Sequence, residues 1–210
     1  LPNPWDAGTA KLLQSLGFEA LATTSLGMSI ALGQPDGENA VSRAELIANC
    51  RLIAEATDLP VNADLENGYA DDPREAASIL REAAEAGIVG GSIEDVSSRP
   101  RAAVYELAHA VDRVRAAAAA ARALPFRFML TARAENFIAG RPDLADTIAR
   151  LQAYQDAGAD VLYAPGLRTI EEIRRVERVG RIRRVGNPPL RRHEVRLRGL
   201  RGELGAACGV

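Results

Sequence analysis

The chain has 210 residues, a formal net charge of −2, and 47% hydrophobic against 26% charged residues. That length suits one domain with a sizeable core, and the composition excludes a disordered chain or a membrane protein. No apolar run approaches the roughly 20 residues of a membrane span and no segment reads as a signal peptide, so a cytoplasmic location and no membrane partner are expected.

In chain order, Leu1–Asn3 reads as the end of a strand. An amphipathic helix over Ala10–Leu16, stopped by Gly17, leads to a strand over Glu19–Thr24. A helix over Arg43–Ala56, with Cys50 as a buried core thiol, leads to a strand over Pro60–Glu66 (PVNADLE). The same plan repeats as helix Arg74–Ala86, Gly87 and strand Ile88–Glu94. An alanine-rich helix from Tyr105 to Ala123 precedes a strand over Pro125–Arg133, and helix Leu144–Ala157 with Gly158 precedes a strand over Ala159–Ala164. Glycine just past a helix end takes the left-handed conformation that closes it.

Helices alternating with nearly all-apolar strands predict a parallel sheet covered by helices. No GxGxxG or GxxxxGK[ST] follows any strand, so the nucleotide-binding sheet lacks its phosphate cradle. The expected fold is an α/β (β/α)8 TIM-type barrel, in which function sits at the carboxyl ends of the strands. Those ends carry Asn3, Thr24, Ser25, Asp64, Glu66, Glu94, Asp95, Arg133, Glu135 and Tyr163.

Asn62, Asp64 and Glu66 stand at alternate positions and share one face of a strand, with Ala63 and Leu65 on the helix side. Carboxylates on that inner face need a compensating cation or ligand. Magnesium takes one or two carboxylates directly and keeps several waters, which suits Asp64 as the direct ligand. Glu66, Glu94 and Asp36 then hold metal-bound water. The structural alternative is that Asp64 and Glu66 pair with arginines at a barrel rim. Arg133 has the planar fork that grips a carboxylate in bidentate fashion, or else it serves only as a partner for Glu135 or Asp95. Thr24, Ser25 and Gly27 lie where strand gives way to loop, where hydroxyls and amides can bind a second carboxylate. The alternative there is a plain turn.

These segments carry a resemblance. NPWDAG (3–8), ALATTSLGMSIALGQPDG (20–37), PVNADLENGY (60–69), GGSIED (90–95), TARAEN (131–136) and AGADVLYAPG (157–166) resemble, in order, the isocitrate lyase/phosphoenolpyruvate mutase superfamily. The resemblance implies a Mg2+-dependent lyase-like enzyme that breaks or forms a C–C or P–C bond in a small 2-oxo or 2-hydroxy carboxylic acid through an enolate-like species. It implies Asp64 as direct metal ligand, with Asp36, Glu66 and Glu94 around its waters. Thr24, Ser25, Leu26 and Gly27 match the segment that binds the substrate carboxylate, and Arg133 matches the substrate-binding arginine. Glu66 stands where many members have aspartate. The gating loop after the fourth strand, with its lysine and cysteine or lysine and asparagine, is replaced here by VSSRPRAAVYELAHAV. True isocitrate lyase and phosphonomutase activities are therefore disfavoured. Glu94 and Tyr163 join Arg133 as candidate catalytic groups, the alternative for Tyr163 being a packed ring, and His109 reads as a helix-surface or packing residue.

The resemblance runs to residue 173. Residues 174–210 hold eleven arginines against Glu177, Glu194 and Glu203, while Lys11 is the only lysine of the chain. This segment reads as divergent or out of frame, so the barrel is expected to be incomplete at both ends, with a homo-oligomer expected if the C-terminal part is intact. The segment has no aromatic residue for base stacking and no nucleic-acid motif, so no nucleic-acid partner is expected. Two other function classes compete with the enzyme: an inactive carboxylate-binding pseudoenzyme or truncated barrel, and an unrelated aldolase-type barrel.

Overall fold

The computed structural model describes residues 1–36, 39–97 and 103–179. Residues 98–102 of the stretch that replaces the gating loop, and residues 180–210 of the arginine-rich segment, lie outside the described residues. The elements are α1 (Ala7–Ser15), β1 (Leu21–Ala22), α2 (Ser25–Ala31), α3 (Arg43–Glu55), β2 (Val61–Asp64), α4 (Pro73–Glu85), β3 (Gly90–Glu94), α5 (Leu107–Arg122), β4 (Met129–Arg133), α6 (Leu144–Ala157), β5 (Val161–Tyr163) and α7 (Ile170–Val179). No helix among the described residues is long and apolar enough to cross a membrane.

The strands form one sheet in the order β1-β2-β3-β4-β5, every neighbour parallel. It is a curled half-barrel of five strands, the expected barrel in part. Each crossover carries a helix that lies on one face of the sheet, so the side chains alternate between a dry and a polar side. Val61, Ala63 and Leu65 face the helices, as do Leu130, Ala132 and Ala134, and all six are at most 1% exposed. They pack with Ile53, Ile79, Leu80, Leu151 and Tyr154 in one continuous core. Asp64 and Arg133 leave on the opposite, concave side.

The helix stops are as expected. Gly17, Gly87 and Gly158 have φ of 85°, 90° and 111°, a region closed to most side chains. Helix starts are capped by acidic or hydroxyl side chains: Ser42 and Glu45 form a reciprocal box at α3, and Asp72 and Asp143 accept from the first amides of α4 and α6. Two expectations need correction. The strands are shorter than their apolar runs, because ladder pairing in β4 begins only at Met129, after Pro125 and the irregular residues that follow it. The segment after β1 is a helix rather than a loop. Thr24 caps it, its hydroxyl accepting from the Gly27 amide at 3.1 Å.

Leu1–Asn3 forms no strand of its own, yet it docks beside β1. The Ala22 amide donates to Pro2 O at 3.0 Å, and the Asn3 side-chain amide donates to Ala22 O at 2.9 Å. Helix α7 runs through residue 173 without a break.

Candidate active site

Parallel register sets the site. Glu94 stands opposite Arg133, and Arg133 opposite Tyr163, at the carboxyl ends of β3, β4 and β5. Asp64, the last residue of β2, is paired with Ser92 two positions before Glu94. Side chains from three neighbouring strands therefore converge at one end of the concave face.

Arg133 is the hub. Its Nη1 donates to Asp64 Oδ1 at 3.2 Å and lies 3.0 Å from Glu94 Oε1, while its Nε donates to Glu135 Oε1 at 2.8 Å. The four side chains are between 6% and 16% exposed, so the charges are only weakly screened by water. Burial by itself works against the guanidinium, but Glu94, Asp64 and Glu135 outweigh it and hold the Arg133 proton more firmly than usual. Burial pushes Glu94 well above the ordinary carboxylate range, and the repulsion of Glu135 and Asp64 adds to it against the pull of Arg133. Burial raises Glu135 as well. The sequence left Arg133 with two partners to choose from, and the structure gives it Glu135 together with Asp64 and Glu94.

Asp64 is held from the other side by Ser25. The Ser25 amide and hydroxyl both donate to Asp64 Oδ2, at 3.2 and 2.9 Å. Helix α2 thus directs its first residue at the carboxylate expected to bind metal. Of the four residues expected to clamp a substrate carboxylate, Ser25 touches Asp64, Thr24 caps the helix, Gly27 gives its amide to that cap, and Leu26 is half exposed.

Glu66 reaches the site by a different route from the one its spacing suggested. Strand β2 ends at Asp64, and Glu66 sits beyond it with φ of 48°, in the left-handed region. That turn, not strand alternation, tucks the side chain inward to 8% exposure, where its Oε1 accepts from the Tyr69 hydroxyl at 3.2 Å. Burial, and then the charge of Asp64, push its carboxyl up to about 7. Asp36 is exposed but close enough to add to that repulsion. Tyr163 is half exposed, with the Arg133 guanidinium 5.4 Å from its ring centroid. His109 packs edge-on against Tyr105, as its helical position suggested.

Asp64, Glu66, Glu94 and Glu135 set four carboxylates against one guanidinium. Excess negative charge on hard oxygen donors, together with the raised proton affinity of Glu66 and Glu94, is the chemistry a divalent cation satisfies. Among the described residues no three His, Cys, Asp or Glu side chains form a ready cage. Magnesium does not require one, since it keeps several of its waters.

One strand-end residue has a role with no signal in the sequence. Asp95, 3% exposed, points from the end of β3 into α6, where Arg150 and Tyr154 meet it. Those partners lie on another element, and neither spacing nor motif connects them to Asp95.

The family model described as phosphoenolpyruvate phosphomutase matches residues 1–186. The chain is 30% identical over 181 residues to 2,3-dimethylmalate lyase of Eubacterium barkeri, covering 83% of this chain and 61% of that one. A crystal structure from Burkholderia cenocepacia J2315, described as a lyase or mutase, superposes with TM-score 0.82 at 55% identity, covering 85% of this chain and 63% of that one. An oxaloacetate acetylhydrolase solved with its product oxalate superposes with TM-score 0.78 at 28% identity, covering 86% and 62%. The chain spans about three fifths of the length of these relatives.

Proposed function

The chain belongs to the phosphoenolpyruvate phosphomutase family, and from that premise we propose that it is a Mg2+-dependent enzyme cleaving a C–C or P–C bond in a small 2-oxo or 2-hydroxy carboxylic acid. The observation that carries this reading is the placement of Asp64 between Ser25 on one side and Arg133 on the other, at the mouth of a parallel half-barrel. The five strands are then part of a (β/α)8 barrel, with the site at its usual end.

In this reading Asp64 binds the ion directly, while Asp36, Glu66 and Glu94 hold it through water. The ion supplies a Lewis acid for the negative charge that develops on the substrate's 2-oxygen. Arg133 grips one substrate carboxylate, and the start of helix α2 at Thr24–Gly27 faces the other end of the molecule. The proton moved in the reaction falls to Glu94 or Tyr163, which flank Arg133 on the neighbouring strands. Similarity to an enzyme named for dimethylmalate, and to one solved with oxalate, supports a short-chain acid as substrate.

The test is turnover of a panel containing oxaloacetate, 2-hydroxy diacids of the malate type and phosphonopyruvate, followed by loss of substrate and appearance of the cleaved acid. Turnover of one of them that requires Mg2+, stops with chelator and disappears in Asp64→Ala supports the reading. Turnover that persists in Asp64→Ala or without divalent metal contradicts it.

A further inference from the structure

Successive residues of a strand leave on opposite faces, so Glu94 enters the concave site while Asp95 enters the layer between sheet and helices. A buried carboxylate there is costly, and a well-packed apolar pair often serves stability as well or better. Asp95 is nevertheless only 3% exposed, opposite an Arg150 side chain that is 4% exposed.

All of its polar atoms are engaged. Oδ2 accepts from Arg150 Nη1 at 3.1 Å and from the Tyr154 hydroxyl at 2.5 Å, both on α6. Arg150 is itself held by Asp146 through Nε at 2.9 Å and by the Tyr105 carbonyl at 2.9 Å. The Asp95 amide donates to Arg133 O at 3.2 Å, and Asp95 Oδ1 accepts from the Glu135 amide at 2.8 Å. One residue thus holds the backbone on both sides of Ala134. Glu135 in turn holds Arg133 Nε, which leaves Nη1 aimed at Asp64 and Glu94.

We propose that Asp95, braced from α6 by Arg150, is a positioning residue that orients the Arg133 guanidinium through the Glu135 amide and carboxylate, the Tyr154 hydroxyl sharing Oδ2 without being needed for that orientation. It touches neither substrate nor metal. Arg133 has a flexible side chain at the rim of a half-barrel, and a carboxylate grip needs its fork fixed in advance. A helix-anchored acid supplies that fixity without adding a charge to the site. The part of the inference that concerns substrate rests on the proposed function; the part that concerns the guanidinium does not.

The experiment compares Asp95→Asn with Tyr154→Phe, using two readouts. The first is hydrogen exchange of the Arg133 Nε–H by NMR on the protein without metal or ligand. The second is oxalate affinity with Mg2+ present. Both variants remove bonds from the same buried network and both lower the melting temperature, but only Asp95→Asn leaves three donors competing for one side-chain oxygen. The expected result is faster Nε–H exchange and about tenfold weaker oxalate binding in Asp95→Asn, with both readouts near wild type in Tyr154→Phe. If Asp95→Asn does not fold, Asp95→Glu keeps a charge opposite Arg150 while displacing the oxygen from the Glu135 amide, and is expected to behave in the same way. An unchanged Nε–H in these variants, or equal loss of oxalate affinity in Tyr154→Phe, overturns the proposal. If wild type itself binds no oxalate, the proposed function fails, and the Nε–H readout still decides whether Asp95 orients Arg133.

Discussion

Ser25 turns both its amide and its hydroxyl onto a single oxygen of Asp64, at 3.2 and 2.9 Å. A hydrogen bond to a charged acceptor contributes about 1.5 kcal/mol or more, which corresponds to roughly tenfold in an equilibrium. Ser25→Ala keeps the amide and removes the hydroxyl. Oxalate binding in the presence of Mg2+, measured by calorimetry, is expected to weaken by roughly three- to tenfold, with the helix itself intact by circular dichroism.

Glu66 gives a signed pH dependence. Its carboxyl is pushed from 4.5 up to about 7 in the fold, first by burial and then by Asp64. A raised carboxyl favours the folded state most below the unfolded value, and that contribution is lost as pH rises through the folded one. Without metal, Glu66→Gln should therefore be more stable than wild type by on the order of 2 kcal/mol at about pH 8, with the difference vanishing towards about pH 4.5. Denaturant titrations across that window check it. Mg2+ should reverse the order above neutrality, because it stabilises the charged form that only wild type possesses.

The turn that delivers Glu66 depends on Gly68. That residue has φ of +76°, and a Cβ there would lie 2.8 Å from the carbonyl oxygen of Ala76 on α4. Neither the backbone angle nor the space admits a methyl group. Gly68→Ala is expected to cost roughly 2 kcal/mol or more in chemical denaturation and to weaken Mg2+ binding with it, since Glu66 and Tyr69 leave their places.

Much of this site is legible in the sequence, and the limits of that reading are physical. Asp64, Glu94 and Arg133 are found because a parallel strand has a definite end and its side chains a period of two. Alternation predicts Glu66 beside Asp64, whereas a left-handed turn carries it there; no pattern distinguishes those two routes. Thr24, Ser25 and Gly27 are turn formers as well as helix starters, and only the bond from the Gly27 amide to the Thr24 hydroxyl decides between loop and capped helix. Asp95 was visible as a residue but not as a brace, because Arg150 and Tyr154 lie 55 and 59 positions further along the chain.

Arg133 balances three carboxylates, so its removal should be felt in stability as well as binding. Arg133→Met leaves Glu94 and Glu135 buried without their cation, and breaking such an arrangement costs about 3–5 kcal/mol. The loss should be largest at alkaline pH and shrink as the carboxyls protonate. Arg133→Lys keeps the charge but not the fork, and should recover part of the stability while oxalate affinity stays low. Melting temperatures and calorimetry on the two variants separate these effects.

In the proposed function Asp64 binds a divalent metal to which a small carboxylate is then added. Calorimetric titration of oxalate into wild type and Asp64→Ala, each with and without Mg2+, tests it most directly. Oxalate is expected to bind wild type only when Mg2+ is present, and Asp64→Ala under neither condition. Equal binding with and without the metal, or binding that survives in Asp64→Ala, would contradict it.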